Sequence, residues 1–331
     1  RRRHTRYISV TGVQTCALPI LGLRARVSIR VNPDVDAKTH PYISTGLKGN
    51  KFGIAHSEVL QTYRHAAACA GLEVVGIDCH IGSQITEVAP YLDAMDRVLD
   101  LVAAIEAAGV PLHHIDFGGG LGIDYNGDTP PAADALWALL LAKLDARGYG
   151  QRQLMIEPGR SLVGNAGVCL TEVLFTKPGE QKNFCIVDAA MNDLIRPTLY
   201  EAHHPMRPVT EPASPGTEIV DVVGPVCETG DFLALDRPLP PLRDGDLLAI
   251  EVAGAYGAVM SSSYNARPLA PELLVRGDTW AVVRPRQTVE SLIGLDRLPP
   301  WIKPARPKGR NRAPTKKVSR QRNNKHRRRK G

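Results

Sequence analysis

Four short apolar runs, ARVSIRVN (25–32), EVVGIDCHIG (73–82), HHIDFGGG (113–120) and QLMIEPG (153–159), recur along the first half of the chain at steps of roughly 40 to 50 residues. Between them lie stretches of helical periodicity, HSEVLQTYRHAAACA, PYLDAMDRVLDLVAAIEAAG and PAADALWALLLAKLDARG. A step of that size holds one strand, one helix and their loops, which predicts parallel βα units. After Arg160 the pattern changes to VCLTEVLFTK, FCIVDAA, EIVDVVG, DLLAIEVAG and TWAVVRP, separated by turns rich in Pro, Gly and Asp and with no long helix between them. That predicts an antiparallel β-barrel or sandwich domain. Four βα units are too few to close an eight-stranded barrel, so the first part reads as the C-terminal half of a (β/α)8 TIM-type barrel with open parallel edges.

The chain's 331 residues at 43% hydrophobic content suffice for one large or two medium cores. The net charge of +7 is misleading, because residues 303–331 hold fourteen Lys and Arg and no acid, and Arg1, Arg2, Arg3 and Arg6 add four more. Without them 23 bases face 34 acids, a body of about −11 that is a poor match for nucleic acid. Residues 1–20 show no period of helix or strand and are expected to be a non-native leader; 303–331 are expected to be a basic, disordered tail. The expected organisation is therefore a barrel part over 21–160 and a β domain over 161–302. No apolar run is long enough for a membrane span, so a cytoplasmic protein is expected. The six cysteines are scattered without a CxxC pair, which gives a metal site or disulfide framework little support.

Each of the four apolar runs ends in a polar or glycine motif: RVNPD (30–34), HIGSQ (80–84), FGGGLG (117–122) and EPGR (157–160). In a (β/α) barrel those ends face one mouth, the usual place of an active site. Singly, each has a plain explanation, since GGG is often just a turn and His80 could be a core histidine. Gly118, Gly119 and Gly120 follow a strand and precede a helix, where bare amides can approach an anion such as a phosphate. The spacing is neither a P-loop nor a dinucleotide fingerprint.

The ordered series RVNPDVDAKTHPYISTGLKGNKFGI, CHIGSQ, DFGGGLGIDY, EPGRSLVGNAG, DAAMNDLIRPTLY, GPVCETGD and GAYGAVMSSSYNARP, spanning about residues 22–302, resembles the diaminopimelate decarboxylases. These belong to the alanine-racemase-like (fold-type III) pyridoxal-phosphate-dependent decarboxylases. The resemblance implies decarboxylation of meso-2,6-diaminopimelate to L-lysine, the last step of lysine biosynthesis, with pyridoxal 5'-phosphate as cofactor. It implies phosphate contacts from Ser83, Gly118, Gly119, Gly120, the EPGR residues Pro158, Gly159 and Arg160, and Tyr256. His80 would stack on the cofactor ring and Glu157 pair with its nitrogen, where a carboxylate is needed to keep the ring protonated and electron-withdrawing. Arg160, Arg196, Tyr200, Glu228 and Tyr256 occupy the family's substrate positions; arginine suits them because its planar fork grips a carboxylate in bidentate fashion. Cys227 matches the family's proton donor, supplied by the neighbouring subunit of a homodimer with shared active sites; a free thiol, with a pKa of about 8.5, is mostly protonated at neutral pH. No metal is implied.

One departure stands out. Members of this family hold the cofactor through a lysine on an early barrel strand, and none of Lys38, Lys48, Lys51, Lys143, Lys177 or Lys182 has that context. The expectation is an N-terminally truncated chain, inactive on its own. The alternatives are a catalytically dead regulatory or dimerising relative, against which the retained Cys227, Glu157 and both arginines argue, and another amino-acid decarboxylase of the same fold, against which CETGD and IRPTLY argue.

Overall fold

The computed structural model describes residues 22–37, 39–46, 51–210 and 216–302. The leader 1–20, the tail 303–331, Lys38 and Lys48 lie outside the described residues. The chain divides into two compact units, with the boundary in sequence after Gln287.

The first unit opens with the four predicted strands, β1 (Ala25–Arg30), β2 (Leu72–Asp78), β3 (His114–Asp116) and β4 (Gln153–Met155), paired in parallel in the order β1-β2-β3-β4. The three predicted helices connect them: α1 (Val59–Ala68), α2 (Ala89–Ala107) and α3 (Ala133–Ala146). Each helix buries a stripe at helical spacing: Val59, Tyr63 and Ala66 on α1, and Leu136, Leu140 and Leu144 on α3. On α2 the stripe is wider, with Met95, Val98, Leu99, Val102 and Ile105 fully enclosed against Ile77, Ile115 and Phe117 of the sheet. Pro90 sits in the first turn of α2, where its missing N–H costs nothing. The hydroxyl of buried Tyr63 donates to the Gly76 carbonyl at 2.9 Å and lies 3.2 Å from the Ile29 carbonyl, setting α1 against both β1 and β2.

Two short helices, α4 (Arg160–Val163) and α5 (Arg196–Tyr200), carry the EPGR and IRPTLY motifs. Between and beyond them lies a six-stranded sheet of β5 (Cys169–Lys177), β6 (Asn183–Val187), β7 (Met206–Pro208), β8 (Glu218–Val223), β9 (Phe232–Leu239) and β10 (Leu247–Ile250), in the order β7-β10-β5-β6-β8-β9. Its core holds Val173, Cys185, Val187, Val222, Leu233, Leu248 and Ile250. The pairing is antiparallel as expected, except that β6 and β8 run parallel. The sequence pattern missed β9, whose Pro238 is tolerated because β9 is an edge strand. A hairpin of β11 (Glu272–Arg276) and β12 (Thr279–Arg284) turns at Gly277, whose φ of +56° suits glycine. In the second unit, the Thr288 hydroxyl caps α6 (Val289–Ile293) by accepting from Ser291 N–H at 3.1 Å.

Candidate active site

The register of β2, β3 and β4 aligns Asp78 with Asp116 and Asp116 with Met155, so the motifs that follow these strands open on one face. The ladder continues past the strands: Cys79 N–H donates to Asp116 O at 3.0 Å and Glu157 N–H to Gly118 O at 2.8 Å. Glycine is required here by both conformation and space. Gly118 and Gly120 have φ of +67° and +99°. A Cβ at Gly119 would be driven into the Glu157 carbonyl, and one at Gly120 into the Gly82 carbonyl. The amides of the triplet are not equally open, however. Gly118 N–H is spent on Asp116 Oδ1 at 2.8 Å, and Gly119 N–H on His80 Nδ1 at 3.0 Å. Among the described residues the Gly120, Gly159 and Arg160 amides have no acceptor, so these, rather than three consecutive glycine amides, are the open donors.

His80 is held neutral, pushed down to about 4 by burial and then by the Arg30 guanidinium. Since Nδ1 accepts from Gly119, the proton belongs on Nε2. Beside it the carboxylates of Asp78, Asp116 and Glu157 lie within 4.8 Å of one another. Burial first, then the charges of Asp116 and Glu157, push the Asp78 carboxyl up to about 7, with Arg30 opposing. Glu157 is also raised, by burial and by Asp116. Such a cluster retains a proton near neutral pH.

A second group lies beside the first. Arg160 and Arg196 are both buried, and both donate through Nη1 to the Tyr125 hydroxyl, at 2.6 and 2.8 Å. Arg160 also donates through Nη2 to Ser83 Oγ at 3.0 Å and stacks over the Tyr256 ring at 4.9 Å. Arg196 Nη1 lies 3.3 Å from Nε2 of fully buried His204, whose Nδ1 is 3.0 Å from the Glu251 carbonyl. His204 is pushed down to about 4, chiefly by burial, so it is neutral: Nδ1–H donates to Glu251 and Nε2 accepts from Arg196. Burial, and then Arg160, lowers the Arg196 guanidinium from its ordinary value. The Nε atoms of both arginines are buried without a partner, and among the described residues neither arginine is paired with a carboxylate. Arg160, Arg196 and Tyr125 line a cleft of about 400 Å³ together with Tyr200, His40, Gln84 and Asp128.

The structure thus brings together His80, Ser83, the three glycines, Glu157, Pro158, Gly159, Arg160 and Tyr256, and sets Arg196 and Tyr200 on the adjoining cleft. It does not bring in Cys227 or Glu228. Both are exposed in the loop between β8 and β9, where Glu228 Oε2 accepts from the Tyr264 hydroxyl at 2.6 Å. That loop is pinned by buried Asp231, which accepts from Met191 N–H and Val226 N–H, each at 2.6 Å. Gly224 is required because a Cβ there would meet Asp231 Oδ2 at 2.5 Å and the Ala189 carbonyl at 2.7 Å. Among the described residues no lysine lines the cleft: Lys143 pairs with Asp96, Lys182 with Asp221, and Lys51 and Lys177 lie over Phe52 and Phe184.

Sequence reasoning missed Asp78, Asp116, Tyr125 and His204. The two aspartates were within reach, since each stands two residues before a site residue, His80 or Gly118, and so shares its face of the strand. Tyr125 and His204 leave no such mark, because only the meeting of α4 and α5 shows what their polar atoms serve.

Residues 14–164 match the family described as pyridoxal-dependent decarboxylase, pyridoxal binding domain. The chain is 55% identical over 270 residues to the diaminopimelate decarboxylase of Neisseria meningitidis serogroup A, covering 82% of this chain and 65% of that protein. It is 46% identical over 285 residues to the diaminopimelate decarboxylase of Archaeoglobus fulgidus, covering 85% and 68%. The crystal structure of diaminopimelate decarboxylase from Helicobacter pylori complexed with L-lysine aligns with a TM-score of 0.78 at 42% identity, over 84% of this chain and 68% of that one. The chain spans about two thirds of the length of these relatives. On this similarity in sequence and fold, the chain belongs to the diaminopimelate decarboxylases, a family of pyridoxal-dependent decarboxylases.

Proposed function

We propose that this chain serves the decarboxylation of meso-2,6-diaminopimelate to L-lysine and carbon dioxide with pyridoxal phosphate as cofactor. One observation carries the reading: Arg160 joins the glycine-lined strand ends, through Ser83, to the arginine cleft, through Tyr125, so that an anion cradle and a carboxylate site share one guanidinium.

The residues present fit the cofactor. The glycine strip excludes any Cβ, open amides stand at Gly120, Gly159 and Arg160, the Ser83 hydroxyl faces them through Arg160, and Glu157 belongs to a carboxylate cluster that keeps a proton. The phosphate would be held by Ser83, the 118–120 strip, Gly159, Arg160 and Tyr256, the ring would lie against His80, and its nitrogen would pair with Glu157. When bound, pyridoxal phosphate supplies an electron sink for the pair left on Cα as carbon dioxide leaves. Neutral His80 adds no positive charge against the ring. Arg160, Arg196 and Tyr200 hold and orient the distal carboxylate, and Glu228 receives the distal ammonium. The Cys227 thiol then delivers a proton to Cα.

Because Cys227 and Glu228 lie away from the cleft in one copy, the reading includes a homodimer in which each copy lends that loop to the other's cleft. It also includes two domains, 21–160 and 161–302, and a cytoplasmic location; no described helix is long and apolar enough to cross a membrane. The expected inactivity of the chain alone finds no support in its relatives. The test is to supply the purified chain with pyridoxal phosphate and meso-diaminopimelate and to assay L-lysine by chromatography. Lysine formed in step with carbon dioxide supports the reading; cofactor bound with no binding of meso-diaminopimelate or L-lysine, read by calorimetric titration, counts against it and favours a regulatory relative.

A further inference from the structure

We infer that Tyr125 is a positioning residue: its hydroxyl oxygen holds Arg160 and Arg196 side by side as a two-guanidinium clamp, with His204 bracing Arg196 through the same Nη1 nitrogen. This rests on reading the cleft as the site of the substrate's distal carboxylate.

A phenolic oxygen has two lone pairs, and here both are taken by guanidinium N–H groups, at 2.6 and 2.8 Å. The ring contributes as well, since the Arg196 Cζ lies 4.7 Å and the Arg160 Cζ 5.6 Å from its centroid. An Asp or Glu at this position would bind both arginines more strongly, but it would also neutralise them. A neutral acceptor aligns the two cations and leaves their charge uncompensated for an incoming anion. Among the described residues neither guanidinium is paired with a carboxylate, so the charge of the pair is not spent within the protein.

His204 completes the arrangement. Its ring meets Tyr125 edge to face at 5.4 Å, and its Nδ1–H to Glu251 carbonyl bond fixes the tautomer that presents a lone pair to Arg196. Arg196 is therefore held between two acceptors, neither of them charged. Long side chains lose rotamer freedom on binding; an arginine already held in place loses less, which favours affinity.

The probe is glutarate, and the measurement is calorimetric titration into the full chain supplied with pyridoxal phosphate. Tyr125→Phe keeps the ring and removes only the oxygen; it should weaken glutarate binding about tenfold, the scale of one well-placed charge-assisted hydrogen bond. In an Arg196→Lys background the same change should cost less, about threefold, because only Arg160 of the two guanidiniums that Tyr125 positions remains. Equal losses in both backgrounds, or Tyr125→Phe binding like the wild type while Arg196→Lys binds weakly, would overturn the positioning role and leave the carboxylate reading standing. Absence of glutarate binding to the wild type would remove the carboxylate reading and the proposal with it. Should Tyr125→Phe not fold, the His204 pair decides: Gln, which retains an acceptor, should stay within about twofold of wild type, and Leu should weaken binding about fivefold. Identical behaviour of His204→Gln and His204→Leu overturns the proposal.

Discussion

Asp78→Asn should stabilise the protein at alkaline pH and leave its stability unchanged in acid. In the fold the Asp78 carboxyl is pushed up to about 7, first by burial and then by Asp116 and Glu157, against the pull of Arg30, and its Oδ1 is buried without a partner. In the unfolded chain an aspartate titrates near 3.9, roughly three units lower. Between those values the folded state binds a proton that the unfolded state has lost. The group's contribution to stability is therefore fully present below about pH 4 and is lost as pH rises through about 7. Three units at about 1.4 kcal/mol each set a ceiling of about 4 kcal/mol, and solvent reaching the strand-end face brings the working figure to about 2–4 kcal/mol. Asparagine is neutral throughout and mimics the protonated acid. Urea unfolding of wild type and Asp78→Asn at fixed ionic strength from pH 3 to 8.5 should give a difference close to zero at the acid end. The difference should grow by up to about 1.4 kcal/mol per pH unit and level off above pH 7.5. A difference that does not change with pH would refute titration of Asp78 in this window. Destabilisation by Asp78→Asn at pH 8 would show that Arg30 outweighs burial. A carboxylate kept under such strain beside Glu157 is of the kind that gathers at functional sites.

Two further outcomes follow from the geometry. Gly119→Ala places a Cβ against the Glu157 carbonyl, so the strand-end face must shift and pyridoxal phosphate affinity, read by fluorescence titration, should fall at least tenfold while thermal unfolding changes by only a few degrees. Asp231→Ala removes the acceptor for the Met191 and Val226 amides; it should cost about 2–4 kcal/mol in urea unfolding and raise amide hydrogen exchange across residues 224–231, and unchanged exchange there would show that the loop is held by other contacts.

The parallel units and the conformation of the glycine strip were legible because both are written locally. A strand of alternating or fully buried residues and a helix with a stripe every three or four positions follow from backbone geometry alone, as Ile77 on β2 and Met95 on α2 illustrate. Glycine in FGGG likewise signals its own backbone requirement, since only glycine accepts φ of +67° and +99° without strain. The parallel β6·β8 pair was not legible, because strand direction depends on where the intervening chain crosses, and no residue pattern within either strand encodes that.

By itself, then, the sequence determined the strand–helix alternation, the change to β structure after Arg160, and the types of chemical group available at each strand end. The tertiary structure alone decided how those groups combine. Inter-strand register made a carboxylate cluster of Asp78, Asp116 and Glu157; the meeting of α4 and α5 put two arginines on one tyrosine hydroxyl; and Cys227 and Glu228 came to lie on a separate loop beside Tyr264. The physical reason is one of range. Periodicity and φ preferences act between near neighbours in the chain, whereas burial, charge coupling and shared hydrogen bonds act between residues that only packing brings within a few ångströms.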